Sequence, residues 1–210
     1  MNSLEEYILA HIDAEDPQLA ALNRRAHVEL LRPRMIAGHL QGQLLKMLVR
    51  MTHSQRILEI GTYTAYATLC MAAGLPDTGE IHTIEKDDEM EDFIRREIAL
   101  SGLQDHIRLY IGDAMQVIPT LSDAFDLVYI DADKRHYCDY YDLVFDKVPS
   151  GGVILADNTL WNGKVIEETV PPSDKQTLGI LQFNEKIKQD KRVEKVILPL
   201  RDGLTIIYKK

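Results

Sequence analysis

The sequence predicts an α/β fold: a Rossmann-like, doubly wound, mostly parallel seven-stranded sheet with an antiparallel C-terminal hairpin and N-terminal helices. Three observations predict it. From residue 56 onward, short apolar runs alternate with helical patterns, the signature of parallel strands buried on both faces. Ahead of them lie stretches with helical spacing and no strand pattern. At the end, Val193–Leu198 and Leu204–Tyr208 are separated only by Pro199-Leu200-Arg201-Asp202-Gly203, so the two strands form a hairpin and one runs antiparallel.

The 210 residues suffice for one α/β domain with a sizeable core, and 45% hydrophobic with 27% charged residues is an ordinary globular balance. We expect a single domain over 1–210, a helical cap at 1–53 and an α/β core at 54–210. A net charge of −9 argues against a nucleic-acid partner and against an anionic membrane. No apolar run approaches the ~18 residues of a membrane span. The start, Met1-Asn2-Ser3-Leu4-Glu5-Glu6, carries no secretory pattern. Cys70 and Cys138 stand singly, as reduced thiols of a cytoplasmic protein do.

Taken in order, residues 3–12 form a short helix with Ser3 as cap and Glu6 placed for a capping box. Asp16-Pro17 opens a second helix over 17–31, and Pro33 stops it. Leu44, Leu45, Leu48 and Met51 give helical spacing over 41–51. Strands follow at Arg56–Ile60, Glu80–Ile84, Ile107–Ile111, Phe125–Ile130 and Gly152–Ala156. The helices between them cover 63–73, 88–100, 114–121 and 135–148, and a last one covers 175–188.

Open α/β sheets bind ligands beyond the carboxyl ends of their strands. The first strand ends at Glu59-Ile60-Gly61-Thr62. A dinucleotide fingerprint needs three glycines and this turn has one, so a nucleoside cofactor without phosphates fits better than NAD. Gly61 permits a tight turn or close approach of a ligand. Glu59 would repel a phosphate and suit a cation. Glu85, ending the second strand, can accept from ribose hydroxyls, a role shared by NAD and S-adenosylmethionine sites. Asp113 either caps the next helix or, with the Ala114 backbone, meets an adenine edge. The fourth strand ends at Asp131-Ala132-Asp133-Lys134. Helix capping by Asp133 and a solvated Lys134 are the plainer readings there. The fifth strand ends at Asp157-Asn158, a carboxylate beside an amide carbonyl. With Asp131 these make a hard, oxygen-rich set suited to a divalent cation, Mg²⁺ first, with Mn²⁺ or Ca²⁺ as alternatives.

Four segments carry a family resemblance: Met35 with Gln41-Gly42-Gln43; Leu58-Glu59-Ile60-Gly61-Thr62-Tyr63; Ile130-Asp131-Ala132-Asp133-Lys134 with Tyr137; and Asp157-Asn158-Thr159-Leu160-Trp161-Asn162-Gly163. In these the chain resembles the cation-dependent O-methyltransferases, the catechol and caffeoyl-CoA group with its bacterial relatives. The resemblance implies S-adenosylmethionine as methyl donor, a divalent metal and a homodimer. It implies cofactor contacts at Ala37, Glu59, Gly61, Thr62, Ala67, Glu85, Asp113, Ala114, Asp131 and Asp133. It implies metal ligands at Asp131, Asp157 and Asn158, catalytic roles for Lys134 and Asp131, and substrate contact at Lys134 and Asn162. Trp161 reads as an aromatic wall or as packing. The chain departs from the family at Ala65 and Ala67, where glycine and serine are usual; Ala65 suggests a different helix start, and Ala67 lacks a hydroxyl for the cofactor carboxylate.

The implied reaction moves a methyl group from a sulfonium to one hydroxyl of a vicinal diol on an aromatic small molecule. Lys134 would lower the phenol's pKa or accept its proton. His136 reads as a helix-surface residue. Arg24, Arg25, Arg32 and Arg34 read as a solvated basic face. An NAD-dependent Rossmann oxidoreductase and a non-catalytic cofactor-binding dimer are the alternatives.

Overall fold

The structure, a computed structural model, describes residues 3–210. The helices are α1 (Ser3–Ala10), α2 (Pro17–Glu29), α3 (His39–Met51), α4 (Tyr66–Ala72), α5 (Glu91–Ser101), α6 (Ala114–Val117), α7 (Tyr137–Phe145) and α8 (Lys175–Gln189). The strands are β1 (Arg56–Ile60), β2 (Glu80–Glu85), β3 (Ile107–Ile111), β4 (Leu127–Ile130), β5 (Val153–Asp157), β6 (Val193–Leu198) and β7 (Leu204–Lys209).

The seven strands form one sheet in the order β3-β2-β1-β4-β5-β7-β6. The first five run parallel, and β7 is antiparallel to both β5 and β6. This is the predicted class. The chain winds outward from β1 in one direction and from β4 in the other. The crevice beyond β1 and β4 is therefore the topological switch point, where such sheets bind ligands.

Strand alternation sends successive side chains to opposite faces. Leu58, Ile60, Val128, Ile130, Ile154 and Ile207 pack with α7 and α8 residues such as Tyr137, Tyr141 and Phe183. Ile57, Leu127, Tyr129, Val153 and Leu155 face Leu45, Leu48 and Val49 of α3 and Met71 of α4. A third cluster joins Leu22 and Ala26 of α2 to α4 and α5. Among the described residues no helix is long and apolar enough to cross a membrane.

The local chemistry explains most boundaries and most departures from expectation. Asp16 caps α2 by accepting the Gln18 N–H at 2.7 Å, with Pro17 in the first turn. Ser3 lies inside α1. α4 starts at Tyr66, three residues later than expected, because Tyr63 (φ +49°) and Ala65 (φ +64°) are left-handed and cannot belong to a right-handed helix. α6 is short because Pro119 lacks an N–H, and Ile118–Thr120 tightens into a 3-10 turn. The expected helix over 135–148 is instead a 3-10 turn at Lys134–His136, capped by Asp133, followed by α7. The basic face expected on α2 is only partly solvated: Arg25 holds the fully buried Glu97 through Nε (2.8 Å) and Nη2 (2.5 Å).

Candidate active site

The register of the sheet builds the centre of the site. Ile130 of β4 pairs with Ala156 of β5, so Asp131 and Asp157, one residue further on, come out side by side. Both continue the face of Tyr129 and Leu155, which looks toward α3. Two carboxylates on adjacent parallel strands repel each other unless something cationic is shared between them. Asp157 is 3% exposed. Burial, and then the neighbouring Asp131 charge, push its carboxyl up to about 6.

Three donors hold Asp157. The Gln41 amide of α3 donates to Oδ2 at 2.5 Å, the Tyr129 hydroxyl donates to the same oxygen at 2.8 Å, and the Asn158 N–H donates to Oδ1 at 2.7 Å. Asn158 itself sits at φ +59°, a left-handed conformation that asparagine tolerates better than most residues. The turn thus starts at Asn158, directly after the buried carboxylate.

Lys134 is not solvated. It is 5% exposed, and its ammonium donates to Asp131 Oδ1 at 2.9 Å and to the Tyr137 hydroxyl at 2.7 Å. It also lies 5.9 Å from the centre of the Trp161 ring, within cation–π range. The Tyr137 hydroxyl lies 3.1 Å from the Ile130 carbonyl and 3.0 Å from the Asp157 carbonyl, linking the ends of β4 and β5 under the lysine. Gln176 of α8 accepts the Lys134 N–H at 3.0 Å. Gly179, one turn on, comes so close that a Cβ would overlap the Lys134 carbonyl oxygen. His136 is a surface residue, 3.0 Å from Asp139.

The other half of the site lies beyond β1, β2 and β3. Gly61 has φ +99°, and a Cβ there would overlap the Asp131 carbonyl oxygen. Its glycine is thus required by the β4 backbone. Glu85 accepts the Tyr63 N–H at 2.7 Å and the Asp87 N–H at 2.8 Å. Thr62 shares a 2.5 Å hydrogen bond with Thr83. Asp113 caps α6 through the Met115 N–H at 2.9 Å and pairs with Lys86 at 2.7 Å, which lowers its carboxyl. Asp133 is taken up by Arg135 and by Gln176 (3.1 Å), and the Arg135 hydrogen bond brings it down to about 2. Ala37 and Ala114 are buried, and Ala67 is half-buried on α4.

Glu59 is fully buried. Its Oε2 accepts from the Thr83 hydroxyl at 2.6 Å and from Thr68, while Oε1 has no partner. Burial pushes the carboxyl up to about 8.

The segment after β5 forms the remaining wall. Trp161 (φ +46°), Asn162 (φ +52°) and Gly163 (φ +76°) are left-handed in succession. The β6–β7 turn holds this path: Thr159 N–H donates to Gly203 (3.0 Å), Leu160 N–H to Asp202 (2.9 Å), and Asn162 N–H to the Asp202 carboxylate. Arg201 of the same turn donates to the Ile36 carbonyl at 2.7 Å. A cavity of about 540 Å³ opens here against Leu160, Asn162, Val165 and Ile166. Sequence reasoning missed Tyr129, the part the hairpin turn plays in holding the segment after β5, and the role of Gln41. Only Gln41 carried a signal, as part of the Met35/Gln41-Gly42-Gln43 segment.

Comparison with known proteins agrees with this arrangement. The O-methyltransferase family model matches residues 10–210. The caffeoyl-CoA O-methyltransferase of Mesembryanthemum crystallinum is 35% identical over 79% of this chain and 69% of its own length. Caffeoyl-CoA O-methyltransferase 1 of Eucalyptus globulus is 33% identical over 79% and 71%. Among solved structures, the O-methyltransferase of Bacillus cereus in complex with SAH superposes with a TM-score of 0.90 at 28% identity, covering 100% of this chain and 98% of that one. The Streptomyces achromogenes enzyme TomG, in complex with SAM, gives 0.90 at 26%, covering 100% and 96%. The chain belongs to the O-methyltransferase family, and it is an S-adenosylmethionine-dependent O-methyltransferase of the caffeoyl-CoA O-methyltransferase type.

Proposed function

We propose that the enzyme methylates one hydroxyl of a vicinal diol on an aromatic small molecule, with a divalent cation, Mg²⁺ first, held by Asp131, Asp157 and Asn158. One observation carries the reading: two carboxylates brought together by register, beside a buried lysine, at the switch point of the sheet. The donor set is all oxygen, which suits a hard cation, and a cation between Asp131 and Asp157 would relieve the Asp131 repulsion that adds to burial in raising Asp157. The unpartnered Glu59 Oε1 likewise suits an ammonium group beside the β1 turn. When bound, the cation supplies Lewis-acid polarisation of the diol, and the sulfonium supplies the methyl group.

The chain's own residues do the rest. Glu85 offers remaining acceptor capacity to ribose hydroxyls, while Gly61, Thr62, Ala37, Ala67, Asp113 and Ala114 line the cofactor side. Asp133 already holds Arg135 and Gln176, so it ranks last among the cofactor contacts. Lys134, its ammonium held off solvent by Tyr137 and Asp131, stabilises the developing phenolate. Trp161 and Asn162 face the acceptor. A homodimer is part of the proposal: α1 buries none of its described side chains, and edge strand β6 exposes Val196 and Ile197. The free thiols Cys70 and Cys138 support a reducing, cytoplasmic setting.

The test is a methyl-transfer screen over catechols, caffeoyl-CoA and flavonoid diols, with and without EDTA, on the wild type and Asp157→Ala. Turnover of a diol that EDTA and the substitution each abolish is expected. Undiminished turnover after metal stripping removes the cation from the reaction.

A further inference from the structure

We infer that Gln41 and Tyr129 are positioning residues for the cation site, acting through Asp157, and that the N-terminal helix α3 is thereby part of the metal-binding apparatus. The inference rests on the cation reading above and adds residues to it.

The geometry is specific. The Gln41 amide and the Tyr129 hydroxyl both donate to one oxygen, Asp157 Oδ2, at 2.5 and 2.8 Å, and the amide also lies 3.0 Å from the hydroxyl. The three side chains form a closed triangle. Gln41 is 1% exposed and Tyr129 is fully buried, so water does not compete for these bonds. They arrive from different directions: Tyr129 from β4, two residues before Asp131, and Gln41 from α3, which packs across that face of the sheet. Strand alternation puts Tyr129 and Asp131 on the same face, so one strand supplies both a proposed ligand and the support for its neighbour.

A free carboxylate has rotamers to choose from, and one beside a like charge would turn away. Two neutral donors on Oδ2 and the Asn158 N–H on Oδ1 leave Asp157 a single orientation, next to Asp131. Both donors are uncharged, so they fix the carboxylate without neutralising it, which leaves its charge for a cation. A purely structural role would need no such convergence: an apolar pair would tie α3 to the sheet at lower desolvation cost. Outer-shell partners of metal ligands typically contribute about 10–100-fold in metal affinity.

The test measures Mn²⁺ binding by calorimetry or by its EPR signal on the full chain without turnover, alongside S-adenosylhomocysteine affinity and thermal stability. Tyr129→Phe keeps the ring and removes only the hydroxyl. Gln41→Leu keeps the size and removes the amide. Each is expected to weaken Mn²⁺ binding by about 10-fold or more while S-adenosylhomocysteine affinity stays within about 2-fold, the carboxylates of the cofactor half having their own partners. The double variant should lose less than the product of the two, because both act on one oxygen. Wild-type Mn²⁺ affinity in both single variants, with Asp157→Ala binding none, overturns the positioning role and leaves the cation site intact. A wild type that takes up no Mn²⁺ overturns the cation reading, and the positioning role with it.

Discussion

The two halves of the site hold their acids differently. Beyond β2 and β3, Glu85 and Asp113 accept backbone N–H groups, from Asp87 and Met115 two residues on and from Tyr63 in the turn after β1, with the Lys86 side chain added at Asp113. Beyond β4 and β5, Asp131 and Asp157 are held chiefly by side chains: Lys134, three residues past Asp131, and for Asp157 the distant Tyr129 and Gln41. Backbone donors follow from the strand–turn–helix path itself and survive most substitutions nearby. Side-chain donors depend on register, on α3 and on α8, and each can be removed alone. The second half concentrates negative charge whose balance is left open.

The point where the halves touch should give the largest effect. Gly61 belongs to the turn after β1 but is confined by the Asp131 carbonyl, so Gly61→Ala combines a left-handed backbone cost with a steric overlap. We expect a loss of about 3 kcal/mol or more in urea unfolding. A variant as stable as the wild type would show that the two strand ends separate freely. Lys134→Ala, confined to the second half, should lower turnover by about 100-fold and leave S-adenosylhomocysteine affinity within about 2-fold, since the proposed cofactor contacts lie in the first half. Equal losses in both would mean that the halves are not separable. Glu85→Ala tests the reverse. It should weaken S-adenosylhomocysteine binding by about 10-fold in calorimetry, the size of one or two hydrogen bonds to a charged acceptor. Unchanged affinity removes Glu85 from the cofactor side.

The same contrast decides what the sequence could reveal. Strand-end acids were legible because period-two strands and turn glycines fix which residues emerge at the carboxyl edge. Asp113 and Asp133 were correctly weighed as caps, since capping is a local property. Tyr129 was not legible: in Leu127-Val128-Tyr129-Ile130 it reads as one more β-forming aromatic, and its hydroxyl acquires meaning only when Asp157 arrives from the next strand. Nor could the sequence show that Lys134 is buried, because α8, forty residues later, closes over it through Gln176 and Gly179. The helix start at Tyr66 was half-legible: Ala65 signalled an unusual turn, but not that it would be left-handed.

Glu59 lies between the halves, and the effect expected there is read in the pH dependence of the melting temperature rather than in turnover or affinity. It is on β1, paired in register with Thr83 of β2 and Tyr129 of β4. Burial moves its carboxyl from 4.5 to about 8. A raised acid pKa stabilises the fold fully below 4.5, where both folded and unfolded forms carry the proton. As pH climbs from 4.5 toward about 8, the unfolded chain gives up that proton while the folded chain keeps it, and the contribution is lost. The cofactor-free enzyme should therefore melt at a lower temperature at pH 8 than at pH 5, and Glu59→Gln, which cannot ionise, should flatten that part of the fall. Parallel melting profiles for the two would mean that Glu59 is already ionised in the folded chain. A cationic group placed against the unpartnered Oε1 reverses the preference, so saturating S-adenosylhomocysteine should flatten the same part of the fall in the wild type and leave the slope of the Glu59→Gln profile unchanged.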